Sequence, residues 1–188
     1  MRLFIAIDIN KKIKNSLRGL QKQIQGRVDI KEYYVKWVNT ENIHLTLKFL
    51  GEVKDRDVTD LCDIVKDIAG RFKCFNLDIG KLGCFGGKIA RVLWVGTGNG
   101  SEKLCELANE LEEHLAHAGW PKENRKYAGH LTLCRIKNTQ AGFEFANICS
   151  DYEDFKAGTV AVDSVKIYQS QLMPTGPVYT VVGNFKLQ

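Results

Sequence analysis

The chain has 188 residues, of which 44% are hydrophobic and 26% charged. Those values suit one folded domain, or two small lobes on a shared core, and exclude a disordered or low-complexity protein. The formal net charge of +5 favours anionic partners such as phosphates or RNA, and no apolar run approaches the ~20 residues of a membrane span.

In chain order, "RLFIAI" is rich in β-branched and aromatic residues and predicts a strand. Asp8 interrupts this apolar run and no small-residue cleavage site follows, which argues against a signal peptide and for a cytoplasmic protein. Asn10 caps a helix whose buried face is Ile13, Leu17, Leu20 and Ile24. Strands "YVKWV" and "IHLTLKFLG" follow. Val58, Leu61, Cys62, Val65, Ile68 and Ala69 then obey the i, i+3, i+4 rule of an amphipathic helix that stops at Gly70.

"CFNLDIG" predicts a strand, "KLGCFGG" a glycine-rich turn and "RVLWVG" a strand. A second long helix begins near Ser101, with a stripe of Leu104, Leu107, Ala108, Leu111, Leu115 and Ala118, and ends at Gly119 and Pro121. The loop "PKENRKY" leads to strand "GHLTLCRI", and "GFEFANIC" predicts a shorter helix. Two strands, "TVAVDSVKIY" and "VYTVVGNFKL", close the chain about the turn "MPTGP".

Six cysteines, none in a C-x-x-C pair and most in apolar segments, predict reduced, buried thiols and no zinc site. Glu110, His114 and His117 share one helix stripe and predict a solvated flank rather than a metal site. No phosphate-binding P-loop pattern is present in the glycine-rich stretch.

The chain has 4 His, and two of them open the same tetrapeptide, His-Leu-Thr-Leu, at His44 and at His130. The copies stand about half the chain apart, and each half runs strand, helix, His-bearing strand, helix, strand. An internal duplication is the simplest account. The predicted fold class is α+β: one domain over residues 1–188, made of two pseudo-symmetric lobes, each with a sheet and helices, and a cleft between them.

Side chains alternate across a strand. His44, Thr46 and Lys48 therefore share one face, and His130 and Thr132 share another, with the leucines turned to the core. Two imidazoles from opposite walls suit displacement at phosphorus, which needs one proton removed and one delivered. Imidazole titrates near neutral pH, so one ring serves as base and the other as acid. The Thr46 and Thr132 hydroxyls can donate to the non-bridging oxygens as charge builds there. Nothing in this chemistry calls for a metal or other cofactor.

These residues resemble the 2H phosphoesterase superfamily, defined by two H-x-[ST]-x motifs, and most closely its RNA 2′,3′-cyclic phosphodiesterase (2′-5′ RNA ligase-like) branch. The resemblance spans nearly the whole chain: "MRLFIAID", Trp37 with "HLTLKFLG", "GCFGGKIARVLWVG", "HLTLCR" and "PTGPVYTVVGNFKL" match in order. Relatives commonly carry Pro where this chain has Gly129 and Gly86. The resemblance implies hydrolysis of a terminal 2′,3′-cyclic phosphate on RNA to a 2′-phosphate. His44 would be the proton donor and His130 the proton acceptor. The alternatives are a 2′-5′ RNA ligase joining tRNA halves, or a non-catalytic module that binds RNA ends. The implied partner is RNA with a cyclic phosphate end, tRNA fragments among the candidates, bound by a monomer.

Four further residues are substrate-binding candidates. Arg135 follows the second motif and would clamp a phosphate, but its parity points away from His130 unless the strand bulges. Lys48 has cleft-facing parity. Phe85 offers a face for a terminal base, and Tyr127, beside His130, offers the same, the alternative for each being core packing. Lys122, Arg125 and Lys126 form a basic loop that would meet RNA backbone or simply be solvated.

Overall fold

The computed structural model describes residues 1–174 and 176–188. Among them are nine strands: β1 (Arg2–Ile7), β2 (Val35–Trp37), β3 (Leu45–Glu52), β4 (Phe75–Phe85), β5 (Val92–Thr97), β6 (His130–Ile136), β7 (Lys156–Val162), β8 (Ser164–Met173) and β9 (Gly176–Lys186). Four α-helices alternate with them: α1 (Lys11–Arg27), α2 (Val58–Ala69), α3 (Ser101–His117) and α4 (Thr139–Ile148). The Asn10 side chain accepts from the Ile13 N–H at 3.0 Å, the cap its sequence position predicts.

The strands form two antiparallel sheets, in the orders β3-β1-β8-β9 and β2-β6-β5-β4-β7. The α+β class and the two-lobed arrangement are as expected, with one motif in each sheet: His44 immediately precedes β3 and His130 opens β6. The lobes are not the two sequence halves, however. Strands β8 and β9, from the C-terminus, complete the sheet of β1 and β3, whereas β2 and β4 join the other sheet. Helices cross over in the same way: α1 packs against β7 and α4 against β4 and β6, while α2 packs on β8 and β9, and α3 on β3. One continuous apolar core results, running from Leu3 and Ile5 through Leu107 and Leu111 to Val165 and Ile167.

Matching β1-α1-β3-α2 to β5-α3-β6-α4 brings out one asymmetry. The outer edge of β6 is covered by β2, through pairs such as Trp37 with Cys134. Among the described residues, the equivalent outer edge of β3 has no strand beside it. The loop between α3 and β6 lies there instead, held by Lys48 Nζ to the Pro121 carbonyl at 2.9 Å.

Two predicted elements are corrected. "KLGCF" is not a turn: β4 continues through it, with Lys81 bulged at φ 61° between the pairs Gly80–Gly96 and Leu82–Val95. Gly83 serves close packing, while the chain reverses just beyond, at Gly86 and Gly87 (φ 115° and 66°). A Cβ on Gly83 would lie 2.3 Å from the Trp94 ring. "TVAVDSVKIY" is not one strand but two, β7 and β8, which part at Asp163 to enter different sheets. The predicted turn "MPTGP" includes Thr175, which lies outside the described residues.

Candidate active site

Both His-bearing strands carry a β-bulge, and at the same place in the repeat. In β3, Ala6 pairs with Thr46 and Ile5 with Lys48, leaving Leu47 extra. In β6, Trp94 pairs with Thr132 and Leu93 with Cys134, leaving Leu133 extra. A bulge inserts one residue and reverses the alternation beyond it. Within each motif His and Thr therefore share one face, and the fifth residue after each His returns to that face.

The bulges place Arg135 and Lys48 on opposite faces of their strands. Arg135 is exposed on the face of His130 and Thr132. The bulge condition set by its parity is met. Lys48 is displaced to the core side beside Ile5, where it is only 3% exposed. Its Nζ bonds Glu112 Oε2 at 2.7 Å. The expectation that Lys48 faces the cleft is thus overturned by the bulge at Leu47. The residue at the Arg135-equivalent position in β3 is Phe49, which is 62% exposed.

The two imidazoles are held alike. His44 Nδ1 is 2.8 Å from the Asn42 carbonyl, and His130 Nδ1 is 2.8 Å from the Ala128 carbonyl, each two residues back. A carbonyl only accepts, so Nδ1 carries the proton in both rings. Nε2 is left as the atom free to take or give a proton.

Their surroundings differ. His44 stacks on Phe4 at 4.6 Å, with Tyr179 edge-on at 5.2 Å and Tyr168 at 6.3 Å. Burial in this aromatic cage pushes its pKa below the ordinary imidazole value, against smaller upward effects of the Asn42 hydrogen bond and Asp8. Asp8 is itself paired with Lys166 at 2.8 Å. His130 meets Phe85 edge-on at 4.9 Å and lies 6.4 Å from Trp94. Phe85 is 41% exposed, so one face remains open beside His130.

Gly86, following Phe85, has φ 115°, and a Cβ there would sit 2.3 Å from the Ile89 carbonyl oxygen. Proline cannot adopt that φ, so the backbone path after Phe85 requires glycine here.

Tyr127 is placed otherwise than as a stacking platform. Its ring packs on the core and its hydroxyl donates to the Thr46 carbonyl at 3.0 Å. Desolvation raises its pKa. That bond, together with the approach of β3 to β6, joins the two motif strands. On the β6 side, the buried Gln21 amide donates to the carbonyls of Val38 at 2.9 Å and Leu133 at 3.1 Å.

No sequence motif points to Phe4, Tyr168 or Tyr179. The pairing of Phe4 with Tyr168 across β1 and β8 makes the cage, and no local pattern specifies that register. The six cysteines are all free thiols, of which Cys134 alone is buried and Cys74 is exposed. No group of three or more His, Cys, Asp or Glu suited to a metal occurs among the described residues. No described helix is long and apolar enough to cross a membrane.

Two antiparallel sheets in two lobes are the architecture of the two-lobed phosphoesterases. The family model for LigT-like phosphoesterases matches the chain twice in tandem, over residues 7–94 and 95–179. The chain belongs to that family. It is 36% identical to an RNA 2′,3′-cyclic phosphodiesterase of Thermotoga maritima, over 97% of this chain and 93% of that protein. It is 33% identical to one of Methanocaldococcus jannaschii, over 97% and 98%. The crystal structure of E. coli LigT complexed with 3′-AMP matches with a TM-score of 0.78 at 26% identity, covering 99% of this chain and 97% of that one.

Proposed function

We propose that this protein hydrolyses a terminal 2′,3′-cyclic phosphate on RNA, leaving a 2′-phosphate and a free 3′-hydroxyl. The observation that carries the proposal is the pair of H-x-T strands with matched bulges, each with Nδ1 of its His fixed on a backbone carbonyl and Nε2 free. The naming of the relatives supplies the substrate class.

In this mechanism His130 Nε2 takes a proton from water as the water oxygen bonds to phosphorus. The phosphorus–O3′ bond breaks, and His44 Nε2–H delivers the proton that O3′ needs. Thr46, Thr132 and Arg135 donate to the non-bridging oxygens as negative charge grows on them. Two imidazoles complete both proton transfers, so no metal takes part. Burial favours neutral His44 in the free protein; the anionic substrate, arriving beside it, restores the protonated form that the acid role needs.

The test is an oligonucleotide ending in a 2′,3′-cyclic phosphate, incubated in EDTA, with the product phosphates resolved. His44→Ala and His130→Ala should each lose at least ~100-fold in turnover, the low end for a general acid or base. Normal turnover by both variants would overturn the roles, and inhibition by EDTA would point to a metal instead.

A further inference from the structure

The open outer edge of β3 borders a cavity of about 470 Å³, lined among others by Phe49, Trp120, Lys122, Glu123 and Arg125. That volume lies in the range of small-ligand sites. The pseudo-equivalent space on the other sheet is filled by β2. Its wall is built rather than loose. Buried Lys48 is held by Glu112 and by the Pro121 carbonyl, and Glu112 Oε1 accepts the Glu123 N–H at 2.6 Å. Tyr127 ties the far end of the same loop to Thr46.

The cavity adjoins the cleft. Phe49 lines it and also lies 6.1 Å from Phe4, the ring stacked on His44. Its chemistry combines two aromatic side chains, Phe49 and Trp120, with a charged rim of Lys122, Glu123 and Arg125. Lys122 is neutralised by Glu113 at 2.6 Å. Among the described residues, Arg125 has no carboxylate within ion-pairing range, and neither does Lys126 beside it. Aromatic faces accept any base and free cations take backbone phosphate, which is how single-stranded nucleic acid is held without sequence preference.

We infer that this cavity is a second nucleotide subsite, taking the nucleotide that precedes the cyclic phosphate end of an RNA strand. This rests on the RNA-end reading above and sharpens it: the preferred substrate is an oligonucleotide, not a free cyclic mononucleotide. Phe49 supplies the stacking face and Arg125 the phosphate contact.

The experiment compares kcat/KM for a trinucleotide ending in a 2′,3′-cyclic phosphate with that for a 2′,3′-cyclic mononucleotide. The trinucleotide should be preferred by at least ~10-fold, and Phe49→Ala and Arg125→Ala should each cut that ratio by roughly 5-fold or more. Both side chains are exposed, so neither truncation removes core packing. A ratio near one in the unmodified protein, or a ratio unmoved by both variants, would overturn the subsite. Turnover of neither substrate would defeat the hydrolysis reading instead. In that event, binding of a trinucleotide ending in a 2′-phosphate still decides the subsite. Its salt slope should fall by about 0.7 in Arg125→Ala, one single-strand phosphate contact, and an unchanged slope would reject it.

Discussion

Tyr127 Oη donates to the carbonyl of Thr46 at 3.0 Å, joining the residue three places before one motif histidine to the threonine of the other motif. Among the described residues no strand pairs with the outer edge of β3, and this bond ties the α3–β6 loop to it. Removing the donor leaves that acceptor half-buried and unpaired. Tyr127→Phe should therefore lower stability by about 1–2 kcal/mol, read as a lower urea midpoint with unchanged slope. An unchanged midpoint would mean the bond does not link the motif strands.

The bulges at Leu47 and Leu133 assign two basic residues to opposite duties, and a pair of variants separates them. Arg135→Ala should reduce kcat/KM on the cyclic phosphate oligonucleotide by about 100-fold, the scale for one donor to developing oxyanion charge, with stability nearly unchanged. Lys48→Met should do the reverse. It strands Glu112, whose side chain is 20% exposed, and should cost about 2 kcal/mol, less than for a fully buried pair. Steady-state kinetics beside denaturant melts read both. A loss of turnover in Lys48→Met without a loss of stability would return Lys48 to the cleft.

Those bulges also mark where legibility in the sequence ended. The buried stripes of α2 and α3 and the cap at Asn10 are local patterns, and they translate into structure except at the ends, where Val58 is half-buried and Ala118 is exposed beyond α3. The repeated tetrapeptide shows which residues share a face over one pleat. It does not show that Leu47 and Leu133 are extra residues, because a bulge is set by the partner strands β1 and β5. Gly83 misleads for a related reason. Its lack of a side chain answers to Trp94 on the neighbouring strand, not to a turn. The aromatic cage of His44 depends on Phe4, Tyr168 and Tyr179 meeting across three strands, and no single segment carries that information.

Gly83 offers a direct test of the wall behind His130. A Cβ there would overlap the Trp94 ring, with contacts of 2.3 and 2.5 Å. A rigid indole cannot yield that much in place, so it must shift toward Phe85 and His130, which it already approaches at 5.3 and 6.4 Å. Gly83→Ala should destabilise by about 2 kcal/mol, the scale of overpacking, and should lower kcat at a temperature where the variant is still folded. Wild-type kcat and stability in Gly83→Ala would show that Trp94 has room to move.

The pH behaviour of His44 follows from its cage. Burial against Phe4, Tyr168 and Tyr179 disfavours the imidazolium, so the folded-state pKa lies below the ordinary ~6.5 of an unfolded chain. Between those two values the unfolded chain binds more protons, so stability must fall as pH drops through that window and be fully present above it. His44→Gln should remove this dependence. Proton NMR of the ring resolves the same effect directly: the His44 titration midpoint should lie below ~6.5, and should move upward in Phe4→Ala as water reaches the ring. Adding a nucleoside 2′-phosphate should also raise it, because the anion stabilises the charged ring that an acid requires. If the midpoint does not rise with that ligand bound, His44 remains neutral in the complex, and the acid and base assignments of His44 and His130 must be exchanged.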